Sequence, residues 1–92
     1  GWAEVADVAL LPDRLGRRIT QFFAHAAVMQ PAARLHTASA LLAETVPYVS
    51  PAPEAHPEVA LRAILAVRRH REMRALQLAD ARVASLSTGV RR

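Results

Sequence analysis

Apolar residues recur along this chain at helical spacing, and prolines separate the recurring stretches from one another. The clearest stretch follows Pro12. Leu15, Ile19, Phe22, Ala26 and Met29 fall at spacings of four, three, four and three, which lines them along one face of a helix over about 13–30. Asp13 is placed to accept from the first-turn amides as an N-cap. Pro31 cannot donate to a helix and drives Gln30 out of the α region, so the rod ends or bends there. A second stripe, Leu35, Ala38, Leu42 and Val46 with Leu41 beside it, predicts a helix over 32–46. Pro31 also suits the first position of a new helix, which leaves open a tight helix pair or one bent rod.

The flanking pieces are different in kind. Residues 2–11, with Trp2, Val5 and Val8 or Ala9 on one side, predict a short helix over about 3–11. Residues 47–57, PYVSPAPEAHP, hold four of the six prolines and favour extended backbone, a linker or a strap across the core. As a ligand for a proline-binding groove this segment lacks flanking arginines and lies between two helices. From Pro57, a favourable first-turn residue followed by Glu58, a helix runs without a breaker to about residue 88, with Gly89 as its natural stop. At 1.5 Å per residue this last helix is roughly 45 Å long, more than a small bundle needs. The chain therefore reads as one all-α domain over 1–92: three main helices, a short N-terminal one, and a long C-terminal helix.

The long helix carries an interrupted seam. Leu61, Leu65, Arg68, Glu72, Leu76, Ala79, Val83 and Leu86 fall on one line of the helix, so RRHREMR at 68–74 drops charge into an apolar stripe. Arg68 and Glu72 are four residues apart and able to pair, which matters because either charge buried alone is costly. The seam has three readings. In the first, Leu61, Ile64, Leu65 and Val67 pack on the domain's own core and the charged belt meets water. In the second, Met73, Leu76, Ala79, Val83 and Leu86, with Leu78, form a partner-binding stripe in which Arg68 and Glu72 are a polar layer that fixes register. In the third, Arg69, Arg71 and Arg74 join Arg14, Arg17 and Arg18, with Gln21 and His25, in a nucleic-acid surface.

Composition weighs on that choice. The formal charge is +4, which favours an anionic partner, yet all 12 basic residues are arginine, with neither lysine nor asparagine in the chain. That bias together with abundant alanine is what GC-rich, bacterial-type codon usage produces without selection for guanidinium chemistry. Aromatics are 4% of residues, too few to build stacking platforms for bases. An apolar share of 52% with so few aromatics calls for an aliphatic, helical core and no sheet. The longest apolar runs, VALL at 8–11 and AILAV at 63–67, fall far short of the roughly 18 residues of a membrane span. No charged-then-apolar signal segment opens the sequence, so the expectation is a soluble, cytoplasmic chain.

Candidate chemistry adds little. Cysteine is absent, which removes disulfides, thiolate metal sites and a thiol nucleophile. His25, His36, His56 and His70 form no HxxxH or HExxH pair; only His25 and His36, flanking Pro31, approach one another if the two helices pack antiparallel. The serines lie in no GxSxG elbow, and Gly1, Gly16 and Gly89 build no phosphate loop. The sequence predicts no enzyme and no cofactor. It points to a protein–protein interaction or self-association module within a larger protein, with a protein partner or a homodimer. The alternatives are a basic DNA-binding or regulatory domain and, more distantly, an apolar ligand pocket between alanine-rich helices.

Overall fold

The computed structural model describes residues 1–90, with side chains described through Leu86. The fold is all-α: α1 (Trp2–Val5), α2 (Asp13–His25), α3 (Pro31–Thr45) and α4 (Pro57–Val90), with single 3-10 turns at Ala26–Val28 and Val46–Tyr48 extending α2 and α3. The molecule measures 64 × 28 × 20 Å with a radius of gyration of 17.2 Å. A compact chain of this length has a radius of roughly 12 Å. The excess comes from α4, whose distal part stands away from the bundle.

Two apolar clusters make the core. Ile19, Phe22 and Ala26 of the α2 segment meet Ala38 and Leu41 of α3 and Leu61 of α4. Val8, Leu11, Leu15, Val49 and Ile64 form the second cluster, with Trp2, Tyr48 and Val67 at its edge and Leu42 joining both. The α2 stripe is buried as its spacing predicts, apart from Met29, which is half-buried. Helices α2 and α3 are separate: Gln30 is extended, with φ −60° and ψ 142°, and Pro31 opens α3. Asp13 is not the N-cap of α2. Pro12 holds that place, its carbonyl accepting from the amides of Leu15 and Gly16, while Asp13 is the first helical residue and its carboxylate turns to α4.

The α3 stripe is rotated from the predicted one. Ala38, Leu41 and Thr45 are buried, whereas Leu35 is 49% exposed and Val46 is also exposed. The rotation follows from Arg34, which reaches Glu58 of α4 through two 2.7 Å hydrogen bonds and the Ala26 carbonyl at 3.3 Å. That clamp turns the line Arg34, Ala38, Leu41, Thr45 inward. Thr45 tolerates complete burial because its hydroxyl donates to the Leu42 carbonyl at 2.8 Å.

The N-terminal helix is one turn long and does not reach residue 11. The Asp7 carboxylate accepts from the Ala9 amide at 2.9 Å, a local turn that competes with helix. The Asp7 and Ser50 backbones exchange two hydrogen bonds at 2.8 and 3.1 Å, an isolated antiparallel bridge. The Trp2 indole donates to the Pro51 carbonyl at 2.7 Å. Residues 49–51 are thus a strap bound to the N-terminal segment, with Val49 buried beneath it and the Ser50–Pro51 peptide bond cis. At the start of α4, the His56 ring nitrogen Nδ1 accepts from the Glu58 amide at 3.2 Å. Gly89 does not stop α4, which continues to Val90.

Candidate interaction surface on the C-terminal helix

Helix α4 runs antiparallel to α2, with Leu61 beside Ile19 and Phe22 and Arg68 beside Asp13. Up to Val67 its inward residues belong to the core: Ala60, Leu61 and Ile64 are wholly buried, and Leu65 and Val67 are half-buried. Burial ends at Arg68, and every residue from Arg69 to Leu86 is exposed.

Arg68 closes the core. Its side chain is 20% exposed, pairs with the Asp13 carboxylate, and lies 3.4 Å from Glu72, itself 64% exposed. The guanidinium rests on Gly16 of α2 so closely that a Cβ there would overlap one of its nitrogens. Gly16 is therefore the floor on which Arg68 lies, and glycine serves here for close approach. The Arg68–Glu72 pair exists as spacing predicts, but within one chain it is a lid at the end of the core, solvated on its outer side. Arg71, expected in open solvent, lies 3.4 Å from Asp7, a second tie from the belt to the N-terminal segment. Nothing in the periodicity announced Asp7 or Asp13 as partners. Gly16, a residue of no size beside the Leu15–Ile19 stripe, was the signal that something large approaches α2.

Beyond the belt, Met73, Leu76, Leu78, Val83 and Leu86 are all large, apolar and exposed, Leu76 at 67% and Leu86 at 71%. Ala79 lies among them and is exposed too. Leu76 stands three helical turns beyond Leu65, and Ala79 five turns beyond Leu61, so the core-facing line of α4 continues up the arm with nothing on it. The arm is close to neutral, with Asp80 and Arg82 its charged residues between Ala75 and Leu86, while the belt beneath is strongly basic.

The six arginines of the nucleic-acid reading do not form one uniform surface. Arg18 is 2.8 Å from Glu44, and Arg71 is tied to Asp7. The hydrogen bond from Arg18, opposed by partial desolvation, holds the Glu44 carboxyl below its ordinary range, and Arg14 adds a weaker pull. Arg17 and Arg69 line one groove of about 400 Å³ between α2 and α4, with Asp13 and Glu72 in the same wall. Arg74 lies on the other side, with His70 and Arg71 against α1. His25 and His36 do border one groove between α2 and α3, and His25 Nδ1 donates to the Gln21 carbonyl at 3.0 Å. No group of three or more metal-ligating side chains occurs among the described residues. No helix among them is long and apolar enough to cross a membrane.

No protein-family model, no curated protein and no solved structure matches this chain.

Proposed function

We propose that this chain is a helical protein–protein interaction module that self-associates through the arm of α4. One observation carries the reading: the core ends at Arg68, and the apolar line of α4 does not. Five large apolar side chains on a bare helix are an exposure that soluble proteins rarely keep without a use. Most helical stability in proteins comes from packing an apolar face, so a partner on the arm supplies what propensity alone does not. Residues Met73, Leu76, Ala79, Val83 and Leu86 make the contact, and Arg68 and Glu72 set the boundary between fold and interface. Light scattering over a dilution series tests this. The expected result is a dimer at tens of micromolar that dissociates on dilution and is lost in Leu76→Asp. A monomer at every concentration, with a melt independent of concentration, overturns self-association.

A second reading rests on Arg17 and Arg69 facing one groove, where a phosphate backbone could lie between α2 and α4. Duplex binding across a salt series decides it. Affinity that falls steeply with salt, and whose slope shrinks in Arg17→Ala, supports nucleic-acid binding; indifference to duplex at low salt ends it.

A further inference from the structure

We propose a soft-metal site on the seam between α2 and α3, where the imidazoles of His25 and His36 and the thioether of Met29 hold a copper(I) ion. The site is independent of the arm of α4 and of whatever the arm binds. Helical spacing brings His25 and His36 together only if α2 and α3 pack antiparallel, and they do: Arg18 of α2 meets Glu44 of α3 at 2.8 Å, and Phe22 shares a core cluster with Leu41. From that ion pair His25 lies roughly 10.5 Å further along α2 and His36 roughly 12 Å back along α3, at 1.5 Å per residue, so the two histidines stand at one level. Both border the same groove, about 550 Å³ in volume.

The rings are prepared for ligation. The Nδ1 nitrogen of His25 lies 3.0 Å from the Gln21 carbonyl oxygen. A carbonyl only accepts, so Nδ1 carries the proton and the lone pair of the neutral ring is on Nε2. Tying one ring nitrogen to a backbone carbonyl while the other stays free is how a ligating histidine is fixed in tautomer and orientation. His36 makes no hydrogen bond to any described residue, so both of its nitrogens are unclaimed.

The third donor decides the metal. Histidine and carboxylate side chains alone form no group of three among the described residues. Met29, half-buried on the cluster that contains Phe22 and Leu41, borders the groove with both histidines and brings sulfur to it. No carboxylate lines the groove, and its guanidinium, Arg18, is already paired with Glu44. Two imidazoles and a thioether are neutral donors. They offer calcium or magnesium neither oxygen ligands nor charge balance, and the soft thioether favours copper(I) over zinc.

Competition with a chromophoric copper(I) chelator, under anaerobic and reducing conditions, tests the site in the full chain. The expected result is one copper withheld per chain, with affinity lowered roughly tenfold or more in His25→Gln and in His36→Gln and unchanged in His56→Gln and His70→Gln. Met29→Leu keeps the apolar volume of the half-buried side chain, so it should weaken copper(I) while leaving nickel(II), which the imidazoles bind, unchanged. Circular dichroism and the melting temperature of the metal-free variants verify that each is folded. Leu76→Asp should hold copper as the parent does, which separates this site from self-association. Copper surrendered wholly to the chelator, copper withheld equally by the His25 and His36 variants, or copper lost in Leu76→Asp overturns the site. Undiminished copper(I) affinity in Met29→Leu removes the thioether, and with it the assignment to copper.

Discussion

Helix α4 is one unbroken helix with two lives. Between Pro57 and Val67 its composition, alanine, leucine, isoleucine and valine, is satisfied by α2 and α3, and its apolar residues are buried or half-buried except Val59 and Ala66. Between Met73 and Leu86 a composition nearly as apolar is bare. The local sequence does not distinguish the halves, since both read as amphipathic helix. What separates them is the length of the neighbours: α2 begins at Asp13, beside Arg68, and past that point only the N-terminal segment meets α4, with Asp7 beside Arg71. Burial is a property of the pair of helices, and Arg68 marks where the pair ends.

The largest expected effect lies in the covered half. Leu61 is wholly buried between α2 and α3, so Leu61→Ala removes its transfer free energy and leaves a cavity, a loss of about 2–5 kcal/mol measured by denaturant unfolding. Leu65, on the same line, is only half-buried, and Leu65→Ala should cost visibly less. Equal losses would mean that the core extends further toward the belt than burial indicates.

Acid is the next lever. The two-pronged hydrogen bond from Arg34, working against partial desolvation, holds the Glu58 carboxyl below its ordinary range, with Arg34, His56 and Arg62 adding electrostatic pull. Glu44 is held down in the same way by Arg18. A carboxyl depressed in the folded state contributes stability that is complete above its unfolded pKa and is lost as pH falls through its folded value. The melting temperature should therefore fall between pH ~5 and ~2, and Glu58→Gln should flatten part of that fall while lowering stability at neutral pH. An unchanged acid profile in Glu58→Gln would show that the α3–α4 clamp contributes nothing to folding.

The clamp also marks how far the fold was legible. The four-three spacing located α2 because a strong, continuous stripe leaves one way to turn the helix. In α3 the apolar residues spread over two faces, and the choice between them was made by a polar residue, Arg34, whose partner lies 24 positions away. Periodicity carries no information about such a partner. The spacing of Val5 and Val8 predicts helix through residues 6–11, but Val5 is exposed while Val8 is buried, and the bridge to Ser50 that fixes the segment depends on a distant strap. The seam's interruption at Arg68 and Glu72 is visible from helical spacing alone. That Arg68 leans on Gly16 and Asp13, making the interruption the end of a core, needed α2 in place.

Gly16→Ala tests that contact and should act mildly. The added methyl lands on the tip of a flexible side chain, so Arg68 moves aside and the backbone stays, while alanine's better helix propensity offsets part of the lost pairing with Asp13. A net change within about 1 kcal/mol is expected. A loss as large as that of Leu61→Ala would make Arg68 a structural keystone and the belt an integral part of the core.

The smallest effect on folding, and the sharpest contrast with Leu61, belongs to Val83→Asp. Val83 is exposed on the arm, some three helical turns above Glu72, and touches neither apolar cluster of the core. A carboxylate there meets water in the monomer, so the unfolding free energy of the dilute chain should stay within about 0.5 kcal/mol of the parent. If the arm self-associates as proposed, the same substitution places a charge on the apolar stripe at concentrations where the parent chain is dimeric, and association should be lost. The measurement is therefore paired: unfolding at sub-micromolar concentration and molar mass at tens of micromolar. Loss of mass with an unchanged dilute melt separates interface from core at Arg68. If Val83→Asp instead destabilises the dilute monomer, the arm folds back on its own bundle in solution, and the two halves of α4 are one core after all.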